Sequence, residues 1–123
     1  MPVSPTQNSL KRLRKDGWTA TVVEHWNPHA KIRQDLFGFV DVMGIRSFFN
    51  PVDPVNNIHT NVGVQATSYT NVSARVKKIK ESEHAKTWLL AGNAIEVHGW
   101  HKKRNRWQCR VVEITLDDFE SAV

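Results

Sequence analysis

Apolar positions along the chain change their spacing several times, and each change marks an element. Ser4 followed by Pro5 has the character of a helix cap and first helical position; Leu10 and Leu13 then give a sparse apolar stripe before Gly17. The pattern predicts a short basic helix. From Trp18 the period becomes two, with Trp18, Ala20 and Val22 on one face and Thr19, Thr21 and Val23 on the other, until Asn27 and Pro28 break it. A strand ending near Glu24 to Trp26 is expected. "LFGFVDVMGI", Leu36 to Ile45, is apolar apart from Asp41 and reads as extended chain with a bend or bulge at Gly38. "RSFFNPVDPVNNIHTN" reads as a long hairpin connection, and "VGVQATS" as the next strand.

Asn71 is placed to cap a helix over "VSARVKKIKESEHAKTWLLAG", in which Val72, Val76, Ile79, Trp88 and Leu89 fall near one face and Gly92 ends the run. Ser82, itself a good cap, marks a break. "AIEVHGW" and "RWQCRVVEI" then form a hairpin about the basic turn "HKKRN". The order α-β-β-β-α-β-β predicts an α/β domain with a single mixed central sheet and flanking helices. The second and third strands make a hairpin, and the long helix makes a crossover.

A chain of 123 residues suffices for one core and is short for two. Residues 1–114 are expected to form the domain and 115–123 an acidic tail. Five Trp and five Phe argue against disorder, and no apolar run is long enough to cross a membrane. The segment "MPVSPTQNSLKRLRKDG" has no apolar signal region, and the lone Cys109 forms no internal disulfide, so a soluble, cytoplasmic protein is expected. The formal charge is +5, and three of the twelve acids (Asp117, Asp118, Glu120) lie in the tail, which raises the surplus over residues 1–114 from five to eight. That balance favours a polyanionic partner, DNA above all, although a basic surface also keeps a small protein soluble.

Three basic clusters could follow a phosphate backbone: Lys11, Arg12, Arg14 and Lys15; Arg75, Lys77, Lys78 and Lys80; and His101, Lys102, Lys103, Arg104 and Arg106. Trp100 and Trp107 flank the last cluster and fit a core as readily as a base-stacking role. "EHWNPH" offers Glu24, His25 and His29, but Pro28 breaks the helical spacing a zinc site would use there.

Oxygen ligands are the more promising chemistry. A divalent cation that activates water against a phosphodiester needs hard oxygen donors held close together. Asp41 enters one strand, and Gln65 and Thr67 share one face of the next, because strand side chains alternate. Asp41, Gln65 and the backbone carbonyl of Ala66 could converge on a Mg²⁺ ion. The plain alternatives are that Asp35 caps a turn, that Asp41 pairs with Arg33 or Arg46, and that Gln65 and Thr67 sit on a solvated sheet face.

In its element order and in "GFVDVMGI", "GVQATS" and "NVSARVKKI", the chain resembles the PD-(D/E)XK nuclease superfamily, whose small single-domain members include archaeal-type and phage Holliday junction resolvases. The likeness covers nearly the whole chain, through a short and degenerate motif. It implies a restriction endonuclease-like fold and a Mg²⁺- or Mn²⁺-dependent DNA endonuclease, with a homodimer where two symmetric strands are cut. By position, Asp41 matches the motif Asp, Gln65 the Glu, and Thr67 the Lys. Gln65 keeps an oxygen ligand with one less negative charge, while Thr67 cannot replace an amine. Arg75, Lys77 or Lys78 could supply the missing cation. Asp35 is the alternative motif acid or a further ligand, and Glu24 with Asp35 stands in for an absent helical Glu. A catalytically inactive DNA-binding protein of the same fold is the rival reading.

Overall fold

The computed structural model describes residues 4–48 and 58–119. Ser4 caps α1 (Pro5–Lys15) by accepting the Gln7 N–H at 3.2 Å, with Pro5 in the first turn, where its missing N–H costs nothing. Four strands follow: β1 (Thr19–Val22), β2 (His25–Asn27), β3 (Ile32–Gln34) and β4 (Val42–Phe48). After β5 (Ile58–Ser68) come α2 (Val72–Lys80) and α3 (Glu83–Leu90), and then β6 (Ala94–Lys103) and β7 (Arg106–Ile114).

Five strands form one sheet in the order β1-β4-β5-β6-β7. The β5–β6 pair is parallel and the other three are antiparallel, so the sheet is mixed. The single parallel pair follows from the crossover through α2 and α3. Helices cover both faces. Leu10 and Leu13 of α1 pack on Ala20, Val42, Val62 and Val64. On the other face Val72, Ile79, Ala85 and Trp88 pack on Phe39, Val40, Ile95, Val97 and Ile114. This is the expected α/β architecture. Among the described residues no helix is long and apolar enough to cross a membrane.

Local geometry departs from the sequence reading in several places. The first strand stops at Val22, and residues 25–34 form a separate two-stranded sheet, β2 with β3. Asn27 makes that possible: its Oδ1 accepts the N–H groups of His29 and Ala30 at 3.0 and 3.1 Å, closing a turn around Pro28. The apolar stretch Leu36–Ile45 is not extended throughout. Leu36 bridges to Val40 around Phe37 and Gly38, both at positive φ (54° and 83°), and β4 begins only at Val42.

Arg46 to Phe48 and Ile58 to Thr60, expected in a connection, pair with each other as the outer rungs of β4 and β5; the rest of that connection, 49–57, lies outside the described residues. In the last hairpin, His101 to Lys103 belong to β6, which leaves a two-residue turn at Arg104 and Asn105. The helical break came where expected, with Ser82 accepting the Ala85 N–H at 3.2 Å. Asn71 makes no side-chain cap bond, because a 3₁₀ turn over Tyr69–Asn71 leads directly into α2. Leu116–Phe119 form a further 3₁₀ turn, with Phe119 packed on the core and Asp118 3.4 Å from Lys80.

Candidate metal centre

Antiparallel pairing of β4 with β5 sets Val42 opposite Val64, so Asp41, just before β4, meets Gln65 across the hairpin. Period two then sorts β5. Val62 and Val64 face α1, while Gly63, Gln65 and Thr67 face the α2–α3 layer. The polar pair lies on a covered face, not a solvated one: Gln65 is 2% and Thr67 5% exposed. Val23 and Glu24 each direct a backbone N–H at the Asp41 carbonyl, which holds the end of β1 against the same corner. The turn at 36–40 folds Asp35 back to it.

These constraints gather Glu24, Asp35 and Asp41 so that one ligand oxygen from each lies within 4.8 Å of the others. Such a group could hold a metal ion. One Asp41 oxygen, Oδ2, accepts the Gln65 Nε2–H at 2.7 Å and the Ala66 N–H at 2.8 Å. Gln65 Nε2 also donates to Asp35 Oδ2 at 3.3 Å. The amide is therefore shared between two carboxyl groups, while its own Oε1 is buried without a partner. An orphaned amide oxygen on a residue aimed into three carboxyl groups fits a cation: turning the amide by 180° would present oxygen to the ion. Because the N–H and C=O of a strand residue leave on the same side, the Ala66 carbonyl also leaves β5 on the β4 side, beyond the start of that strand.

Burial pushes the Asp41 carboxyl up to about 8, and the adjacent Asp35 reinforces the rise both as a hydrogen-bond partner and as a like charge. The Ala66 and Gln65 donors oppose it without cancelling it. Arginine does not relieve it either. Arg46 lies over the Trp18 ring, 3.8 Å from its centroid, and Arg33 lies 3.7 Å from Glu24 Oε1. Neither pairs with Asp41. Without a cation, a proton holds this corner together at neutral pH.

Several expected participants lie elsewhere. Lys77 lines a groove with Val76, Arg110 and Val112, on the flank of α2 toward β7. Lys102 lies over the Trp107 ring, 5.2 Å from its centroid, on the sheet face opposite Lys103. The α1 cluster occupies the layer opposite the acids, where Arg14 donates to the Ala20 carbonyl at 3.0 Å. Among the described residues the cation that pairs with a member of the acid group is Arg33, through Glu24 and not through Asp41. It arrives because β3 brings it beside Glu24, and that strand was not foreseen.

A second polar chain lies under α1. The Trp100 Nε1–H donates to Ser9 Oγ at 2.9 Å, Ser9 Oγ lies 2.9 Å from His98 Nδ1, and His98 Nε2 lies 2.8 Å from Glu96 Oε1. An indole only donates, and His98 holds the Glu96 carboxyl below its usual range, so Glu96 accepts. His98 therefore donates to Glu96 through Nε2, and in a neutral imidazole Nδ1 is then the acceptor for the Ser9 hydroxyl. Ser, His and Glu stand in the order of an acyl-transfer triad, yet Ser9 and His98 are both 0% exposed. No substrate reaches them; the chain joins α1 to β6. Trp100 is thus a core residue, while Trp107 is 39% exposed and edge-on to it. The chain matches no known family model, no curated protein and no solved structure.

Proposed function

We propose that the protein is a divalent-cation-dependent DNA endonuclease of the PD-(D/E)XK type, with Asp41 and Gln65 at its centre. The observation that carries this reading is the position of Gln65. Its buried amide is shared between Asp35 and Asp41 at 3.3 and 2.7 Å, beside Glu24, and keeps an unpartnered oxygen. Further support comes from the mixed sheet, in which the motif acid opens one strand and its companion lies on the adjacent one.

Asp41, Asp35, Glu24, Gln65 Oε1 and the Ala66 carbonyl would hold the ion. An all-oxygen set of this kind suits Mg²⁺ or Mn²⁺. When bound, the ion supplies Lewis acidity toward a phosphodiester and its attacking water. The protein's own groups do the rest. Ala66 N–H fixes the rotamer of Asp41, and burial excludes bulk water from it. Arg33, 67% exposed at the rim, offers a guanidinium to a phosphate oxygen where the family's lysine is replaced by Thr67.

The replacement of that lysine by Thr67 is also the observation that favours a second reading, a DNA-binding protein of the same fold without catalysis. Incubating labelled linear duplex, flap, single strand and four-way junction with Mg²⁺ or Mn²⁺, beside an Asp41→Asn control, decides between them. Cuts that need the cation and disappear in the variant are expected. DNA binding with no cut on any substrate would establish the second reading, and cuts that persist in Asp41→Asn would remove Asp41 from the chemistry.

A further inference from the structure

Strand parity carries the α2-side face of the sheet beyond the acids. On β6, residues 95, 97, 99, 101 and 103 share the face of Gln65 and Thr67; on β7, residues 106, 108, 110, 112 and 114 do. Because β5 and β6 are parallel and β5 ends at Ser68, opposite Trp100, the β6–β7 hairpin projects past β5 at the end of the sheet where the acids lie. From Val97, level with Gln65, to Lys103 it extends about 20 Å.

This projecting face has two components. Nearest the acids is Tyr69, 44% exposed, in a T-shaped pair with His101 at 4.6 Å between ring centroids, with the Arg110 guanidinium 5.9 Å from the Tyr69 centroid. Farther out, Lys103, Arg104, Arg106 and Gln108 line an open concavity of about 380 Å³. None of its three cations makes an ion pair among the described residues. The backbone is shaped for this arrangement. A Cβ on Gly99 would stand 2.2 Å from Val72 Cγ2 and 3.2 Å from the Tyr69 Cα, so only glycine lets the Tyr69 turn lie directly on β6. Arg104 adopts φ 53° at the hairpin tip, where Asn or Gly is the unstrained choice.

We infer that this face grips unpaired single-stranded DNA: a base stacks on Tyr69, and the phosphates that follow run toward Arg104 and Arg106. The combination selects the ligand. Cations alone would accept any polyanion, but the exposed Tyr69 ring beside them adds a contact for a free base face, which a continuous duplex keeps within its own stack. Tyr69 folds back over Gly99, which pairs with Thr67, two residues or about 7 Å along β5 from Gln65, so the unpaired base would lie close to the bond that is cut. That last placement rests on the nuclease reading; the grip itself does not.

The test is fluorescence anisotropy in EDTA, with labelled oligothymidylate and a duplex of equal length, across a salt series. Tyr69→Ala is expected to weaken single-strand binding by about 5- to 150-fold with little change for the duplex, while Tyr69→Phe retains it. Arg104→Ala with Arg106→Ala should lower the slope of log affinity against log salt by about 1.4, the share of two phosphate contacts. Lys11→Ala, on the opposite layer, should change neither. Tyr69→Ala with unchanged single-strand affinity, equal losses for both ligands, or an unaltered salt slope in the double variant would each overturn the grip. Cleavage by the wild type alongside an unaffected Tyr69→Ala leaves the nuclease and removes the grip. Tyr69-dependent binding with no cleavage under any cation does the reverse.

Discussion

Replacing Asp41 with Asn should make the cation-free protein more stable while, on the proposed function, abolishing cleavage. The sign follows from the carboxyl's history on folding. In the unfolded chain it ionises near 3.8; in the folded protein burial and Asp35 push it up to about 8. Between those values folding requires taking up a proton, so the stability this group allows is full below pH 4 and declines as pH rises toward 8. At about 1.4 kcal/mol per unit, the cost at pH 7 is on the order of 4 kcal/mol. Asn carries no proton to titrate. Its Oδ1 can accept from Ala66 N–H and Gln65 Nε2–H as Oδ2 does in the wild type, and its Nδ2 can donate to Asp35.

Thermal unfolding in EDTA, measured from pH 4 to pH 8, reads the effect directly. For a domain of this size the gain at pH 7 corresponds to on the order of 15 °C in Tm, shrinking to nothing near pH 4. Adding Mn²⁺ at pH 7 should raise the wild-type Tm with release of a proton and leave Asp41→Asn unmoved. A variant no more stable than wild type at pH 7, or a gap independent of pH, would refute the argument.

Three further outcomes can be checked. Ser9→Ala removes the acceptor for Trp100 Nε1–H and the neighbour of His98 Nδ1, both buried, and should cost about 2–3 kcal/mol in denaturant unfolding. Gly99→Ala forces a methyl against Val72 and the Tyr69 turn, so a loss of about 1–3 kcal/mol is expected, together with weaker single-strand binding. On the proposed function, Arg33→Ala should slow cleavage on the order of 100-fold with little change in Tm, since its side chain is 67% exposed; an unchanged rate would return the cation's role to another residue.

How far the sequence could be read depended on whether a signal was local. Alternation in Trp18 to Val22 and the cap at Ser82 were sufficient to place those elements, because each is fixed by residues within a few positions. The meeting of Asp41 with Gln65 was also legible, since a hairpin brings the start of one strand to the end of the next whatever lies between. The β2–β3 hairpin was not, because its decisive event is an Asn27 side chain bonding its own backbone, and "NP" alone reads as a break. With that hairpin went the placement of Arg33. The turn at Leu36–Val40 hid inside an apolar run because Phe37 adopts a positive φ that its residue type does not announce. Tyr69, His101 and Arg110 are 9 to 41 residues apart, and only the parallel pairing of β5 with β6, followed by the register of β7, puts them together.

The small hairpin at 25–34 springs from between two of the acids, Glu24 at one foot and Asp35 at the other. Three carboxyl groups within 4.8 Å make those feet an electrostatic spring: each added negative charge drives them apart, and a cation draws them together. A bound ion would therefore also tighten the tether of this ten-residue hairpin to the sheet, so the amide protons of β2 and β3 should exchange more slowly with a divalent ion present than in EDTA, in the same protein at the same pH.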